Sequence, residues 1–158
     1  MRTSRLQNRN SKSGFSLVEL LIVVAIILII GAIAIPNLIR SKMAANETSA
    51  VGSCRTITTA QATYASKHPK SGFACDLNTL GSVGYIDATL AAGSKSGYAF
   101  ALLDCKRDKG LVVGYTWVAN PTRPGESGVK FFCGDETGVI RFSSTDATDC
   151  LRNGHPLG

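Results

Sequence analysis

Apolar residues fall into three patterns along the chain, and each predicts a different element. From Phe15 to Ile35 the run is nearly unbroken, with 18 apolar residues in 21, interrupted only by Ser16, Glu19 and Gly31. At about 1.5 Å per residue it spans roughly 30 Å, the thickness of a bilayer core, so it predicts a membrane-length helix. From Asn37 to Lys67 the pattern changes to three-to-four spacing, carried by Met43, Ala50, Cys54, Ile57, Ala60 or Gln61, and Tyr64. That is an amphipathic helix, and His68-Pro69 ends it because the residue before a proline is biased out of the helical region. Joined, the two segments make a helical spine of about 53 residues, roughly 80 Å long.

Alternation takes over after Gly97. Tyr98, Phe100 and Leu102 mark a first strand, Val113, Tyr115 and Trp117 a second, and Lys130–Cys133 and Val139–Phe142 two more. Their joints are the charged turn Asp104–Gly110, the loop holding Pro121, Pro124, Gly125 and Gly128, and the run Gly134–Gly138. Residues 69–95 read as an irregular connection with one helical turn near Asp87–Ala92. The expected fold is α+β: a four-stranded antiparallel sheet lying on the apolar stripe of the long helix.

Composition sharpens this division. Without Phe15–Ile35 the other residues are only roughly 38% hydrophobic, an ordinary soluble composition. Charge is equally uneven. Residues 1–14 hold Arg2, Arg5, Arg9 and Lys12 and no acid, which is four of the formal net +6, while the remainder carries 13 basic against 11 acidic side chains. A protein built to hold nucleic acid would carry its positive charge on the folded domain, so that class has little support. Basic residues ahead of the apolar run instead predict a cytoplasmic N-terminus, with everything after Pro36 on the other face of the membrane.

Enzyme chemistry is not visible. The chain has no G-x-S-x-G, glycine-rich phosphate loop, C-x-x-C or H-E-x-x-H. Its two histidines, His68 and His155, are expected in solvent, and no cofactor is expected. Asp104, Asp108, Asp135 and Glu136 read as solvated turn acids rather than metal ligands. Lys106, Arg107 and Lys109, interrupted by Asp108, read as ordinary surface. Asn46-Glu47-Thr48 fits a glycosylation sequon, a weak signal on a helix.

Glu19 is the residue that the membrane reading must explain, because a carboxylate inside lipid costs at least about 2.5 kcal/mol. Leu20–Ile30 followed by Ala32-Ile33-Ala34 also reads as a secretory signal with a small-x-small cleavage site. That reading leaves Glu19 inside the apolar run and Pro36 just past the cut, and a plain signal anchor treats Glu19 as an accident. The string Ser13-Gly14-Phe15-Ser16-Leu17-Val18-Glu19-Leu20-Leu21-Ile22-Val23-Val24 closely resembles the prepilin motif of type IV pilins and type II secretion pseudopilins.

The resemblance implies cleavage after Gly14 by a membrane peptidase, methylation of the new N-terminus at Phe15, and assembly in which Glu19 neutralises the N-terminal amine of a neighbouring subunit. It also implies the pilin fold, and a helix break at Gly31 and Pro36, where the helix melts when subunits pack. The corresponding layout is a leader at 1–14, a transmembrane and assembly helix at 15–36, the amphipathic half of the spine at 37–68, and the connection with its sheet at 69–158. The implied function is a structural subunit of a type IV pilus in a bacterial inner membrane, with itself, the prepilin peptidase/methyltransferase and the assembly platform as partners. Its rivals are a type II secretion pseudopilin, a minor pilin, and a membrane-anchored periplasmic module that never polymerises.

Five cysteines outside the cytoplasm suggest two disulfides, and four paired out of five allow fifteen pairings. Cys54 lies on the helix stripe, where a small buried hydrophobe is expected. Cys133 and Cys150 resemble the C-terminal disulfide loop of many type IV pilins. With that loop assigned by resemblance, Cys75 and Cys105 are the second pair.

Overall fold

The structure, a computed structural model, describes residues 14–157. The basic leader positions Arg2, Arg5, Arg9 and Lys12 lie outside the described residues. The chain divides into two compact units, one ending at Leu38 and the other beginning at Ile39.

The first unit is the apolar part of helix α1, Leu17–Lys67. Nothing among the described residues covers it: Leu17, Ile22, Leu28 and Ile33 are all more than half exposed. This is the one helix among the described residues long and apolar enough to cross a membrane. In water such a surface would cost about 25 cal/mol per Å² of exposed apolar area.

The second unit is built from the amphipathic part of α1 and a six-stranded sheet. Ala50, Cys54, Ile57, Ala60 and Gln61 are buried along one helix stripe, the three-to-four spacing expected from the sequence. They meet Tyr98, Phe100, Tyr115, Trp117, Ala119 and Phe132 from the sheet in a single core. Strand order follows chain order, and every neighbouring pair is antiparallel. The strands are β1 (Ser94–Lys95), β2 (Tyr98–Asp108), β3 (Leu111–Pro121), β4 (Phe131–Asp135), β5 (Arg141–Ser143) and β6 (His155–Pro156).

The sheet therefore has six strands, not the four expected. The two additions, β1 and β6, are only two residues each, too short to show alternation, and exist because β2 and β5 offer them a ladder. The supposed turn at Asp104–Gly110 is also mostly strand. β2 and β3 pair as far as Asp108↔Leu111, and the reversal is confined to Lys109 and Gly110, both at positive φ. That is the backbone a two-residue hairpin with right-handed strand twist requires. Two irregularities hid the continuity. Asp104 and Cys105 together oppose one residue between Leu103↔Thr116 and Lys106↔Gly114, and Val113 is the extra residue on β3 before Arg107↔Val112.

The connection is more ordered than its composition suggests. It holds two short helices, α2 (Leu77–Ser82) and α3 (Ala88–Ala91), each started by an aspartate whose side chain accepts a backbone N–H: Asp76 from Thr79 and Asp87 from Leu90. Leu77, Leu80, Ile86 and Leu90 carry the core across this segment. A third short helix, α4 (Ala147–Asn153), was not expected; Asp146 caps it, and Ala147 and Cys150 pack on Val118 and Cys133 on the sheet face away from α1. Gly134 has a packing reason to lack a side chain, since a Cβ there would sit 2.5 Å from the Trp117 indole.

Candidate functional site

Two regions carry the chemistry: the exposed N-terminal helix and the disulfide-tied domain that begins at Ile39. The helix start is a reciprocal cap. Ser16 Oγ accepts the Val18 N–H at 3.3 Å while Glu19 Oε2 accepts the Ser16 N–H at 2.9 Å. This is a capping box, readable in the sequence as Ser-x-x-Glu, and sequence reasoning about Glu19 as an assembly residue missed it. The carboxylate thus sits one peptide away from Phe15, whose side chain is exposed. An amine created at Phe15 would fall beside the same carboxylate, where the helix N-terminus already favours negative charge.

Further along, α1 runs through Gly31 and Pro36 without interruption, so the pair does not break the helix in the single chain. Pro36 has no N–H to give to the carbonyl one turn earlier. The neighbouring Asn37 donates its side-chain N–H to Ile33 O at 3.1 Å, keeping polar contacts along this stretch.

In the second unit, α1 grips two loops through buried or half-buried polar side chains. Asn46 Nδ2 donates to Ser127 O at 2.8 Å, and Glu47 Oε1 accepts from the Val129 N–H at 2.8 Å. Asn46 is thereby occupied by the fold, which argues against the sequon, because a glycan would displace that bond. Gln61, fully buried, binds Ala74 in both directions: Nε2 donates to Ala74 O and Oε1 accepts its N–H, each at 2.8 Å. Nothing in the apolar spacing distinguishes Gln61 from a core residue, so the clamp was invisible in sequence.

Cys75 is bonded to Cys105 and Cys133 to Cys150, while Cys54 is a buried free thiol. The first bond joins the connection to the bulge of β2, and the second joins β4 to α4. Burial pushes the Cys54 thiol well above its ordinary range, keeping it neutral.

His155 is exposed near Phe142. His68, expected in solvent, is half-buried: its ring stacks on Tyr64 at 4.1 Å, with Nδ1 3.0 Å from Tyr64 O. It closes the end of α1. Lys106 is held 3.7 Å from Glu136, and Arg107 Nη2 reaches Cys75 Sγ at 3.7 Å, so two of the three cations near the hairpin have local partners. The turn acids are spread out: Asp104 lies in the bulge, Asp108 at the end of β2, and Asp135 on Thr137 and Arg141. Among the described residues, no three His, Cys, Asp or Glu side chains gather as a metal would need.

Comparison with known proteins interprets the N-terminal region. Residues 9–35 match the family described as the prokaryotic N-terminal methylation motif. The chain is 42% identical over 78 residues to the type IV major pilin protein PilA of Myxococcus xanthus, a match covering 49% of this chain and 34% of that protein. It is 58% identical over 40 residues to the type IV wide pilus major component PilA4 of Thermus thermophilus, covering 25% of this chain and 30% of that one. Over these stretches the chain is similar to type IV pilins. The matches span about a third of the length of these relatives, and no solved structure matches the chain at the same stringency. A long N-terminal helix with an antiparallel sheet is the pilin architecture, here with six strands.

Electrostatics within the C-terminal region favour charged carboxylates. Burial pushes Asp135 up, but hydrogen bonds from Thr137 and Arg141 outweigh it and leave the group below its usual range. Hydrogen bonds from Ser143 and Asn153 hold half-buried Asp149 down as well. A carboxylate whose folded pKa is depressed contributes stability above its unfolded value, about 3.9, and loses it as pH falls through the folded value. The thermal midpoint is therefore expected to be flat from about pH 7 to 5 and to drop below about pH 4. Replacing both acids by asparagine should flatten that acid limb; an unchanged limb in the double variant would assign it to other groups.

Proposed function

We propose that this chain is a structural subunit that polymerises into a type IV pilus, rather than an enzyme. The observation that carries the proposal is an apolar helix surface that no described residue covers, from Phe15 to Leu38, interrupted by one carboxylate at its start. Such a surface is stable in two environments, lipid before assembly and the packed centre of a filament afterwards.

In this reading a prepilin peptidase cuts after Gly14 and the N-terminus of Phe15 is methylated. Residues 1–14 begin in the cytoplasm, and the domain from Ile39 onwards lies on the far side of the inner membrane. An assembly platform then extracts the subunit into an extracellular filament. Glu19 exchanges the Ser16 N–H for the amine of a neighbour, relieving two charges that lipid would leave unpaired and drawing subunits into register. The Gly31–Pro36 stretch, intact in the single chain, is where the helix can give way as subunits pack. The matched relatives are both named as major pilus components, which favours a pilus over a pseudopilin.

The test is to shear filaments from cells producing the protein and sequence the released subunit by mass spectrometry. The expected result is abundant chain beginning at N-methylated Phe15. Chain that stays in the membrane fraction with residues 1–14 attached would instead identify a non-polymerising anchored module.

A further inference from the structure

The two disulfides occupy opposite environments. Cys133 and Cys150 are fully buried, between β4 and α4. Cys75 and Cys105 are both half-exposed, and Cys75 lines a surface groove of about 300 Å³ together with Tyr64, Lys70, Thr79 and Arg107. Arg107 Nη2 lies 3.7 Å from Cys75 Sγ, and Lys70 adds a second cation to the groove wall. The acid lining the groove, Asp76, has its carboxylate engaged by the Thr79 N–H and hydroxyl at 2.7 and 2.8 Å.

From this arrangement we infer that Cys75–Cys105 is a reducible site, opened by a dithiol while the rest of the domain stays folded. One thiolate of the dithiol attacks Cys105 Sγ and forms a mixed disulfide there. The Cys75–Cys105 bond breaks, and its electron pair leaves on Cys75 Sγ beside the Arg107 guanidinium. The second thiolate of the reagent, its proton lost to water, attacks the reagent's own sulfur in the mixed disulfide and releases Cys105 as a thiolate. The dithiol is oxidised by two electrons to a disulfide, and the two cysteines are reduced and take up protons from water. A thiolate leaves faster when its charge is stabilised, which is the part Arg107 plays.

Opening the bond does not free the connection. Gln61 still holds Ala74, Val112 N–H still donates to Ser71 O at 2.9 Å, and Phe73 N–H to Val112 O at 3.1 Å. The reduced form thus presents a thiol in a cationic groove on an otherwise intact domain. Cys54 supplies an internal control, since it is buried in the core with its thiol held neutral and reacts only when the domain unfolds.

The experiment treats the full chain in detergent micelles with dithiothreitol, quenches with iodoacetamide at intervals and locates the label by peptide mass spectrometry. Cys75 and Cys105 are expected to label at least ~10-fold sooner than Cys133 and Cys150, with Cys54 unlabelled. Arg107→Gln should slow the opening by roughly three-fold or more, and Arg107→Lys should restore most of the rate. Labelling of all four bonded cysteines in step, labelling of Cys54 alongside Cys75, or an unchanged rate in Arg107→Gln would each overturn the inference.

Discussion

Cells producing Glu19→Ala in place of the native chain are expected to show no sheared filaments, while the cut and folded subunit accumulates in the membrane. The side chain has two separable duties. Locally it accepts the Ser16 N–H, a cap contact of about 1 kcal/mol, small for a helix of this length. Between subunits, in the proposed assembly, it supplies the only negative charge in the apolar run, and in lipid a lone carboxylate costs at least about 2.5 kcal/mol. That cost is a reason to associate only if a partner's amine removes it. Glu19→Gln separates the duties, because it can still accept the Ser16 N–H but carries no charge. Both variants should leave the thermal midpoint of the domain from Ile39 onwards unchanged, as measured on the full chain in detergent. Filaments of normal abundance from Glu19→Gln would show that the cap, not the charge, is what assembly needs.

Gln61→Leu should destabilise that same domain by about 2–5 kcal/mol, despite being nearly isosteric. The amide of Gln61 satisfies both the N–H and the carbonyl of Ala74, and both residues are buried. Leucine fills the space but leaves two backbone groups without partners, each costing roughly 1–3 kcal/mol. The neighbouring Cys75–Cys105 bond keeps the segment tethered, so the loss should appear as lower stability rather than a detached loop. Trp117, the single tryptophan and fully buried, reports the transition by fluorescence during denaturant titration. A loss below about 1 kcal/mol would mean that water reaches Ala74 and replaces the amide.

How much could be read in advance differed by element, for identifiable reasons. The membrane-length run and the helix stripe were legible because each is a long periodic signal, and Ala50, Cys54, Ile57 and Ala60 are buried along the stripe that the spacing marks. The hairpin of β2 and β3 was partly misread, since its charged residues Asp104, Lys106, Arg107 and Asp108 resemble a loop while their backbone continues the ladder. β1 and β6 have no pattern of their own, and α4 is a seven-residue helix whose clearest local signal is the Asp146 cap. At the N-terminus, the same Glu19 that resemblance marked for assembly also caps its own helix, a role that the Ser-x-x-Glu spacing carried but that the search for a partner obscured.

Sequence by itself determined the membrane-length apolar run, the basic stretch ahead of it and the one carboxylate inside it, because these depend on composition and spacing within about 25 consecutive positions. Tertiary structure decided what holds the domain together: the Gln61 clamp on Ala74, the grip of Asn46 and Glu47 on the loop before β4, the six-strand order and the contrast between an open and a buried disulfide. Each of these joins residues far apart in the chain, and a local pattern holds no record of which distant backbone group a side chain will meet.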